Sequence, residues 1–500
     1  MDISSPNMPT KTTSRAPWLS RRQMLQSAGA GMGAVGLASL LADNNALLAA
    51  TNRTATAQSA GTLAVKSPHF FPRAKRLIYL YMNGGPSQVD TFDYKPLLEK
   101  HEGKRPPAAN LKTLRKTTVI MKSPWNFRQH GQSGLWVSEL FPQVARCIDD
   151  ICVVRSMRTD VPEHAAAMTM MNIGSLQPNR PSLGSWLGYG LGTENQNLPG
   201  YVFLSHRIKP RPREVTWSNS FLPGIYAGVY VDTDNIDPKQ ALANIRNPYL
   251  TQNDQRTQLD LLAKLEVTRL KRLQHDAQLE ARIQSMELAF RMQLSAPEAF
   301  DLGQETQSTL DLYGIQDEPQ WDTRGGRQFG GFPEGCLLAR RLSERGVRVV
   351  QVGFGGDIPW DDHEDIMNHE HRARHCDQAI AALLTDLKAR GLLEETLVMW
   401  GGEFGRTPVN DISGNTPGRD HNHYGFTVWL AGGGVQGGMT YGTTDDLGFK
   451  AVEKPLHVHD LHATILYAMG LDHEKLTYHF SGRDFRLTDV FGKVATGIFA

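Results

Sequence analysis

The sequence predicts an α/β protein whose strands form a mostly parallel central sheet. Short apolar runs alternate with longer segments of helical periodicity, which is the pattern of parallel strands joined by crossover helices. Glycine is abundant, at 47 residues, as expected where many tight turns connect strands to helices. The chain of 500 residues is 40% hydrophobic and 21% charged, which allows a large core and excludes an intrinsically disordered protein.

Each predicted strand is a short apolar run that ends at glycine, proline or polar residues. The predicted strands are residues 77–82, 151–154, 347–352, 397–400 and 426–431. The predicted helices are residues 137–145, 163–171, 336–345, 371–390 and 460–469. Residues 251–294 break the alternation, because they are charged and periodic and predict one or two amphipathic helices inserted between strands. Their heptad pattern is not sustained, so packing onto the domain is favoured over an extended coiled coil.

The N-terminus resembles an export signal. Residues 20–25 read Ser-Arg-Arg-Gln-Met-Leu, which resembles a twin-arginine (Tat) motif. The uncharged residues 27–42 follow, and this run is shorter than the roughly 20 apolar residues of a membrane-spanning helix. It fits the hydrophobic region of a cleavable signal peptide, and residues 55–57 read Ala-Thr-Ala, a cleavage site. The alternative is a chance arginine pair before a small-residue segment.

We therefore expect a Tat signal peptide at residues 1–57, a linker at 58–75, and one domain over 76–500 with a helical insertion at about 251–294. The Tat machinery is the expected partner, and the expected location is periplasmic or secreted, without stable membrane insertion. The 53 basic and 52 acidic side chains give a net charge of +1, which leaves no field to steer the chain onto nucleic acid. The four cysteines lack the dense spacing of a disulfide framework.

Polar side chains follow several predicted strands at the points where the strands end. Ligands of open α/β sheets bind beyond the carboxyl ends of the strands, so these side chains are expected to converge. They are Asn83, Ser87 and Asp90 after the first strand, Asp361 and His363 after residues 347–352, Glu403 and Arg406 after residues 397–400, and Arg419, His421 and His423 before residues 426–431. The pattern predicts one site built from several strand ends.

The histidines indicate that this site binds metal. Eleven of the 17 histidines fall after residue 362, where an even scatter would place about five. Carboxylate with imidazole is the ligand set of zinc, manganese and similar ions, so one or two divalent ions are expected, with zinc or manganese favoured over calcium. The alternative for any single histidine is a local hydrogen bond in a surface loop. His369, His371 and His375 fall on a polar helix face and are expected to be solvated or to support the ligands.

Five stretches give the chain a resemblance to a known family. They are residues 82–93 (MNGGPSQVDTFD), 130–134 (HGQSG), 360–363 (WDDH), 402–408 (GEFGRTP) and 418–421 (GRDH). On these motifs the chain is identified as a member of a family of Tat-exported, sulfatase-like proteins of unknown function (domain of unknown function 1501). That family is similar, more distantly, to the alkaline phosphatase and sulfatase superfamily. The resemblance implies an alkaline-phosphatase-like three-layer sandwich.

The resemblance also implies metal ligands. Asp361 and His363 match the first metal-binding pair of the superfamily. Glu403 matches the carboxylate of the later pair, and His421 matches the last histidine, with His423 as a further candidate ligand beside it.

The chain departs from the superfamily at three positions. Asn83 stands where the first aspartate is expected, with Asp90 as a compensating ligand, and Phe404 stands where a histidine or asparagine is expected. His164 stands at the nucleophile position, where the superfamily has cysteine, serine or threonine. A histidine there can ligate a metal, act as an acid or base, accept a phosphoryl group or line a degenerate site, and the first two roles rank above the third.

The arginines complete the expected site. Arg406 and Arg419 follow the expected ligands closely, and arginine forks suit tetrahedral oxyanions, with Ser87 as a further substrate contact. The alternative for both arginines is a loop-stabilising ion pair. With His164 and Arg406 as catalytic candidates, the resemblance implies an exported metal-dependent hydrolase acting on sulfate or phosphate esters of small molecules or polysaccharide. The alternative is a non-catalytic binding or assembly protein that keeps the fold.

Overall fold

The computed structural model describes residues 63–106, 117–206, 213–234, 236, 238, 249–270, 277–315, 331–411 and 416–500. The predicted signal peptide at residues 1–57 lies outside the described residues, as does the predicted linker up to residue 62. Within the described ranges, no helix combines the length and the apolar character that crossing a bilayer requires.

The elements appear along the chain in the following order. The strands are β1 (Arg76–Tyr81), β2 (Thr117–Ile120), β3 (Phe127–His130), β4 (Leu135–Ser138), β5 (Ile151–Arg158), β6 (Tyr201–Ser205), β7 (Val229–Asp232), β8 (Val349–Gly353), β9 (Thr396–Gly401), β10 (Gly405–Asp411), β11 (Gly418–Asn422), β12 (Phe426–Ala431), β13 (Met439–Tyr441), β14 (Thr443–Thr444), β15 (Ala451–Glu453), β16 (Leu456–His457), β17 (Tyr478–Phe480) and β18 (Arg483–Phe485). The helices are α1 (Gln88–Thr91), α2 (Pro96–Lys100), α3 (His164–Ile173), α4 (Leu183–Leu191), α5 (Gln252–Leu270), α6 (Ala277–Ala299), α7 (Gln307–Tyr313), α8 (Phe332–Glu344), α9 (Asn368–Ala389) and α10 (Val458–Ala468).

A nine-stranded sheet forms the centre of a mixed α/β fold. Its strands lie in the order β13, β5, β12, β9, β1, β8, β6, β7, and β16 pairs with β5 outside this path. The pairings are parallel except at β12, which runs antiparallel to both of its neighbours. The strands on either side of β12 therefore share one direction, and β5, β9, β1 and β8 end at the same edge. The predicted fold class, with its mostly parallel sheet, is confirmed.

Helices cover both faces of this sheet. Successive residues of a strand point to opposite faces of the sheet, so Val349 and Val352 of β8 contact different helical layers. Val349 and Gln351 line a small cavity together with Gly184 of α4. On the other face, Val352 packs against Gly335 of α8. The molecule is thus a three-layer sandwich, with α4 and α8 on opposite sides of the sheet.

The predicted helix over residues 137–145 is wrong. Residues Leu135–Ser138 form strand β4, which pairs with β3, and a 3-10 helix follows only at Val144–Asp150. Pro142 explains the difference, because a proline disfavours helical backbone at the residue before it.

The charged segment that interrupts the alternation forms α5 and α6; residues 271–276 between them lie outside the described residues. Arg256 of α5 makes a two-pronged ion pair with Glu287 of α6, at 2.6 and 2.8 Å. Leu288 and Met292 of α6 are buried in the main core. The pair of helices is therefore packed onto the sandwich through α6.

Candidate metal centre

Six of the predicted site residues meet beyond the carboxyl edge of the sheet. His164 begins α3 after β5, Asp361 and His363 lie between β8 and α9, Glu403 follows β9, and Arg406 and His421 lie on β10 and β11. The antiparallel register of β10 and β11 sets Arg406 opposite His421. Residues that are far apart in the chain are brought together because these strands end at one edge.

One oxygen of Asp361 is the meeting point of four cationic or imidazole groups. Its Oδ1 lies 3.0 Å from Nε2 of His421, 3.1 Å from Nε2 of His363 and 3.2 Å from Nε2 of His164. The guanidinium of Arg406 donates from Nη2 to the same oxygen at 2.7 Å. Three ring nitrogens of one kind therefore converge on a single carboxylate.

The other nitrogen of each ring has its own acceptor. Nδ1 of His164 lies 2.6 Å from Glu403 Oε1, and Nδ1 of His363 lies 2.7 Å from Asp411 Oδ2. Nδ1 of His421 lies 2.6 Å from the main-chain oxygen of Pro162. A carbonyl or carboxylate oxygen can only accept, so each Nδ1 carries the proton and donates it. In the neutral rings each Nε2 is then left with a lone pair.

This arrangement calls for a positive charge at its centre. Nε2 of His363 and Nε2 of His421 are 2.9 Å apart, and two lone pairs at that distance repel unless a proton or metal ion lies between them. Burial, and next the charge of Arg406, lower the pKa of His421 to about 3, so this ring is neutral at pH 7. Burial would raise the pKa of Asp361, but Arg406 and the three imidazoles hold it well below its usual range. The site therefore offers a metal ion the ionised carboxylate of Asp361 and the neutral imidazole of His421.

The distances suit a divalent transition metal. Two ligands at about 2.1 Å from one ion and about 90–110° apart lie about 3.0–3.4 Å from each other. The distances among Asp361 Oδ1 and the three Nε2 atoms quoted above fall close to this range. Two groups of side chains bring their ligand atoms close enough together to hold an ion. One group is His164, Asp361 and His421, and the other is His363, Asp420 and His421. In addition, Nε2 of His164 is buried, and its 3.2 Å contact with Asp361 Oδ1 lacks the geometry of a hydrogen bond.

Glu403 lies behind His164 and is fully buried. Gly84 N–H donates to both of its oxygens, at 3.0 and 3.2 Å, and Tyr81 O–H lies 3.5 Å from Oε2. Burial would lower the pKa of His164, but its contacts with Asp361 and Glu403 together raise it. The predicted ligand Glu403 thus contacts a ligand ring, whereas its own oxygens are occupied by donors.

Gly84 is the point of closest approach between two loops of the site. Its φ is +101°, and a Cβ there would lie 2.7 Å from the backbone nitrogen of Trp360 and 2.9 Å from that of Asp361. Only glycine allows this combination of backbone conformation and proximity. Gly84 therefore lets the turn after β1 pack directly against the backbone of Asp361.

Arg406 forms an ion pair with Asp361, which is the alternative that the sequence left open to its predicted oxyanion role. The side chain is fully buried. Besides Asp361, it donates to the main-chain oxygens of Gly84, Gly85, Trp360 and Arg419. Every nitrogen of the guanidinium already has an acceptor, so Arg406 holds Asp361 and the loops around it instead of facing an open site.

Arg419, Asp90 and Ser87 contact one another, and for Arg419 this is the loop-stabilising ion pair that the sequence left open. Arg419 forms a two-pronged ion pair with Asp90, at 2.6 and 3.1 Å, and both side chains are fully buried. Ser87 donates its hydroxyl to the same carboxylate, and Thr407 O accepts from Arg419. In this arrangement the side chains of Asp90, Arg419 and Ser87 are engaged with one another, and their roles as metal ligand and substrate contacts stay predictions.

Two further predicted ligands lie outside the cluster. Asn83 donates from Nδ2 to the main-chain oxygens of Phe354 and Asp357, and its Oδ1 has no hydrogen-bond partner among the described residues. His423 is buried, and its Nδ1 likewise lacks a partner among them. Neither residue belongs to the two groups of metal-binding geometry.

His369 is buried and contacts the loops of the site, in keeping with the second of its two expected roles, whereas His371 and His375 are partly exposed. His369 is completely buried: its Nδ1 donates to Asp362 Oδ2 at 2.7 Å, and its Nε2 accepts from Ser87 N–H at 3.1 Å. It thus joins the loop of Asp361 to the turn after β1.

Asp411 was not among the predicted site residues, although it orients His363. It lies at the end of β10, and no local pattern marks it.

Comparison with solved structures finds proteins of low similarity to this chain. A lipoteichoic acid synthase from Listeria monocytogenes is 9% identical with a TM-score of 0.34, over 85% of this chain and 78% of that chain. An alkaline phosphatase from the Antarctic bacterium TAB5 is 11% identical with a TM-score of 0.31, over 81% and 99%. A sulfatase from a Pseudoalteromonas species is 12% identical with a TM-score of 0.33, over 80% and 69%. Among curated proteins, none matches the sequence.

The family comparison covers most of the chain. Residues 74–499 match the family described as "Protein of unknown function (DUF1501)". This range includes every residue of the cluster around Asp361. The chain is therefore a member of the DUF1501 family.

Proposed function

We propose that this protein is an exported, metal-dependent hydrolase of sulfate or phosphate esters. The observation that carries the proposal is the convergence of three imidazole Nε2 atoms on Oδ1 of Asp361. In a protein interior, such a set of lone pairs and one negative charge is stable when it surrounds a cation. The donor set fits zinc or manganese better than calcium, because calcium takes oxygen ligands.

Asp361, His164, His363 and His421 would hold one or two such ions. When bound, a divalent ion supplies Lewis-acid chemistry at an ester oxygen. Arg406 keeps the carboxylate of Asp361 ionised and in place. Phe404 packs against the rings of His164 and His421, at centroid distances of 4.8 and 4.5 Å, and shields them from water.

The contacts of His164 favour the role of ligand over that of nucleophile. Its Nδ1 is engaged by Glu403, and its Nε2 lies among the other converging nitrogens. An attacking histidine needs one nitrogen free to face the substrate. The substrate class, by contrast, rests on the resemblance of the motifs to the alkaline phosphatase and sulfatase superfamily.

Metal content and turnover together test this proposal. We expect the purified protein to retain stoichiometric zinc or manganese, measured by inductively coupled plasma mass spectrometry, and Asp361→Asn to lose it. Glu364→Gln is the matched control, since Glu364 is an exposed carboxylate in the same loop. Metal-dependent turnover of an aryl sulfate or aryl phosphate panel is the expected activity. Wild-type protein that is prepared without chelator and fails to take up metal would overturn the proposal.

A non-catalytic binding protein is the second candidate, and one observation favours it. Arg406 and Arg419, the arginines expected to clamp a tetrahedral anion, are both buried and fully engaged by other groups. A protein that binds metal with the expected stoichiometry but turns over no ester in the panel would support this second function.

Export by the Tat route is proposed from the twin-arginine motif at residues 20–25 and the hydrophobic segment after it. We expect replacement of Arg21 and Arg22 by lysine to leave the precursor in the cytoplasm of a Tat-competent bacterium. Fractionation and immunoblotting would show this as loss of the shorter, processed form. Unchanged processing of the variant would exclude the Tat route.

A further inference from the structure

We propose that Glu403 positions His164 for metal binding and is not itself a metal ligand. This inference rests on the proposed function, because it concerns the same site. It assigns Glu403 a role different from the one its motif suggests, since the resemblance aligns Glu403 with a carboxylate ligand.

The first argument is that the carboxylate of Glu403 is already occupied. It accepts from the N–H of Gly84 and from Nδ1 of His164, and the hydroxyl of Tyr81 approaches its second oxygen. It is fully buried. It also belongs to neither group of ligand atoms close enough to share an ion. A buried carboxylate with these donors is satisfied without a metal.

The second argument concerns the proton of the His164 ring. A neutral imidazole carries one N–H, and the acceptor beside one nitrogen decides which nitrogen keeps the lone pair. Glu403 accepts from Nδ1 at 2.6 Å, so in the neutral ring the lone pair lies on Nε2. Nε2 is the atom that faces Asp361 at 3.2 Å. Glu403 therefore selects the tautomer and the ring orientation in which His164 can bind an ion.

The third argument is that Glu403 is held from behind by a buried polar network. The hydroxyl of Tyr81 interacts with both Glu403 and the side chain of Asn172. Gln351 Nε2 donates to Asn172 Oδ1 at 2.9 Å, and Tyr201 O–H donates to Gln351 Oε1 at 2.7 Å. Asn172 and His164 belong to the same helix, α3. The network therefore fixes both the carboxylate and the helix that carries the ring it orients.

Zn²⁺ affinity distinguishes a positioning residue from a ligand. We expect Glu403→Gln to weaken Zn²⁺ binding about 10- to 100-fold, as removal of a group that orients a ligand typically does. The stoichiometry at saturating Zn²⁺ should be unchanged. Asp361→Asn, which removes a direct contact, should weaken binding more. Competition with a chelating dye measures the affinities, and Glu364→Gln serves as the control.

A double-mutant cycle with His164→Ala tests whether Glu403 affects Zn²⁺ affinity through His164. If Glu403 acts only through His164, then Glu403→Gln should change Zn²⁺ affinity less than 2-fold in the His164→Ala background. An undiminished 10- to 100-fold effect in that background would overturn the inference, because a direct ligand acts without His164. A loss of one Zn²⁺ per chain in Glu403→Gln would overturn it as well.

A second variant protects the test against misfolding. Tyr81→Phe keeps the carboxylate and removes only the hydroxyl, and we expect a loss of Zn²⁺ affinity below 10-fold that also vanishes in the His164→Ala background. A Tyr81→Phe effect that persists there would count against the inference. Failure of the wild-type chain to bind Zn²⁺ at all would instead overturn the proposed function.

Discussion

His363 and His421 point their Nε2 atoms at each other across 2.9 Å, while each ring donates its Nδ1 proton to a fixed acceptor. The acceptors, Asp411 and the carbonyl of Pro162, belong to different parts of the chain. Two imidazoles held in this way form a preorganised pair of lone pairs, so metal binding needs no change of tautomer. The predictions below follow from this pair and its surroundings.

The two histidines of the His-Asn-His motif should differ in their effect on metal binding. His421→Ala removes a ring at the centre of the cluster, so we expect loss of stoichiometric Zn²⁺. His423→Ala removes a ring outside both ligand groups, so Zn²⁺ content should be retained. Mass spectrometric metal analysis of the two variants checks this, and equal losses in both would show that His423 is a ligand after all.

The buried pair of Asp90 and Arg419 should be structural. Arg419→Met leaves the carboxylate of Asp90 buried without its partner, which costs about 3–5 kcal/mol of unfolding free energy. The double variant Asp90→Leu, Arg419→Met should recover part of that loss. Urea unfolding measures both, and Lys75→Met, which breaks the exposed pair with Glu395, should cost about 1 kcal/mol or less. A small effect of Arg419→Met would contradict the assignment.

Gly84→Ala should be much worse than an alanine at another glycine with positive φ. A methyl group at Gly84 meets the backbone of Trp360 and Asp361, whereas one at Gly391, with φ of +67°, has no atom within 4 Å. The strained backbone alone costs about 1–2 kcal/mol. We expect Gly391→Ala to lose about that much, and Gly84→Ala to lose more and to bind Zn²⁺ more weakly. Equal unfolding free energies for the two variants would argue against close packing of these loops.

His462 should make the protein lose stability as the pH falls. Its ring in α10 is buried and Nε2 donates to the carbonyl of Met171 at 2.9 Å. Burial lowers its pKa to about 3, and the neighbouring rings of His457 and His459 act in the same direction. In the unfolded chain a histidine titrates near pH 6.5, so the contribution of His462 is complete above that pH.

Below pH 6.5 this contribution is lost at up to about 1.4 kcal/mol per pH unit, until the folded pKa is reached. The difference in unfolding free energy between wild type and His462→Gln should therefore shrink between pH 6.5 and pH 4. Urea unfolding at several pH values gives this difference. A difference that does not change with pH would show that His462 is not a buried neutral ring.

Five of the nine strands of the sheet (β1, β5, β8, β9 and β12) could be predicted, because they are apolar runs that are largely buried on both faces. The apolar runs of β1, β9 and β12 each stand out against polar flanks, and glycines close them. The hydrophobic pattern gave a wrong prediction for residues 137–145, because Pro142 prevents the helix that their periodicity indicates. A local hydrophobic pattern predicts an element correctly where all residues of that element are buried to the same extent.

The centre of the site was predictable for a related reason. Asp361 and Glu403 follow strands that end at one edge, and His421 precedes β12, which begins at that edge, so their convergence is a property of the topology. The contact of Arg419 with Asp90 could not be predicted, since 329 residues separate them and only the folded loops decide which arginine meets which carboxylate. For His369, helical periodicity could not decide between a solvated and a supporting role, because it does not show which loops cover the helix.

The small sheet of β11, β10 and β2 has a consequence for how the site can vary. His421 reaches Asp361 because the hairpin pairs it with Arg406. A slip of one residue would exchange the faces of β11 and carry the ring away from Asp361. Insertions in the connection between these two strands should therefore be harmless at any length that keeps the pairing, whereas a single deletion inside β11 should abolish the site. The register of the hairpin therefore determines which side chains of β11 reach the metal site.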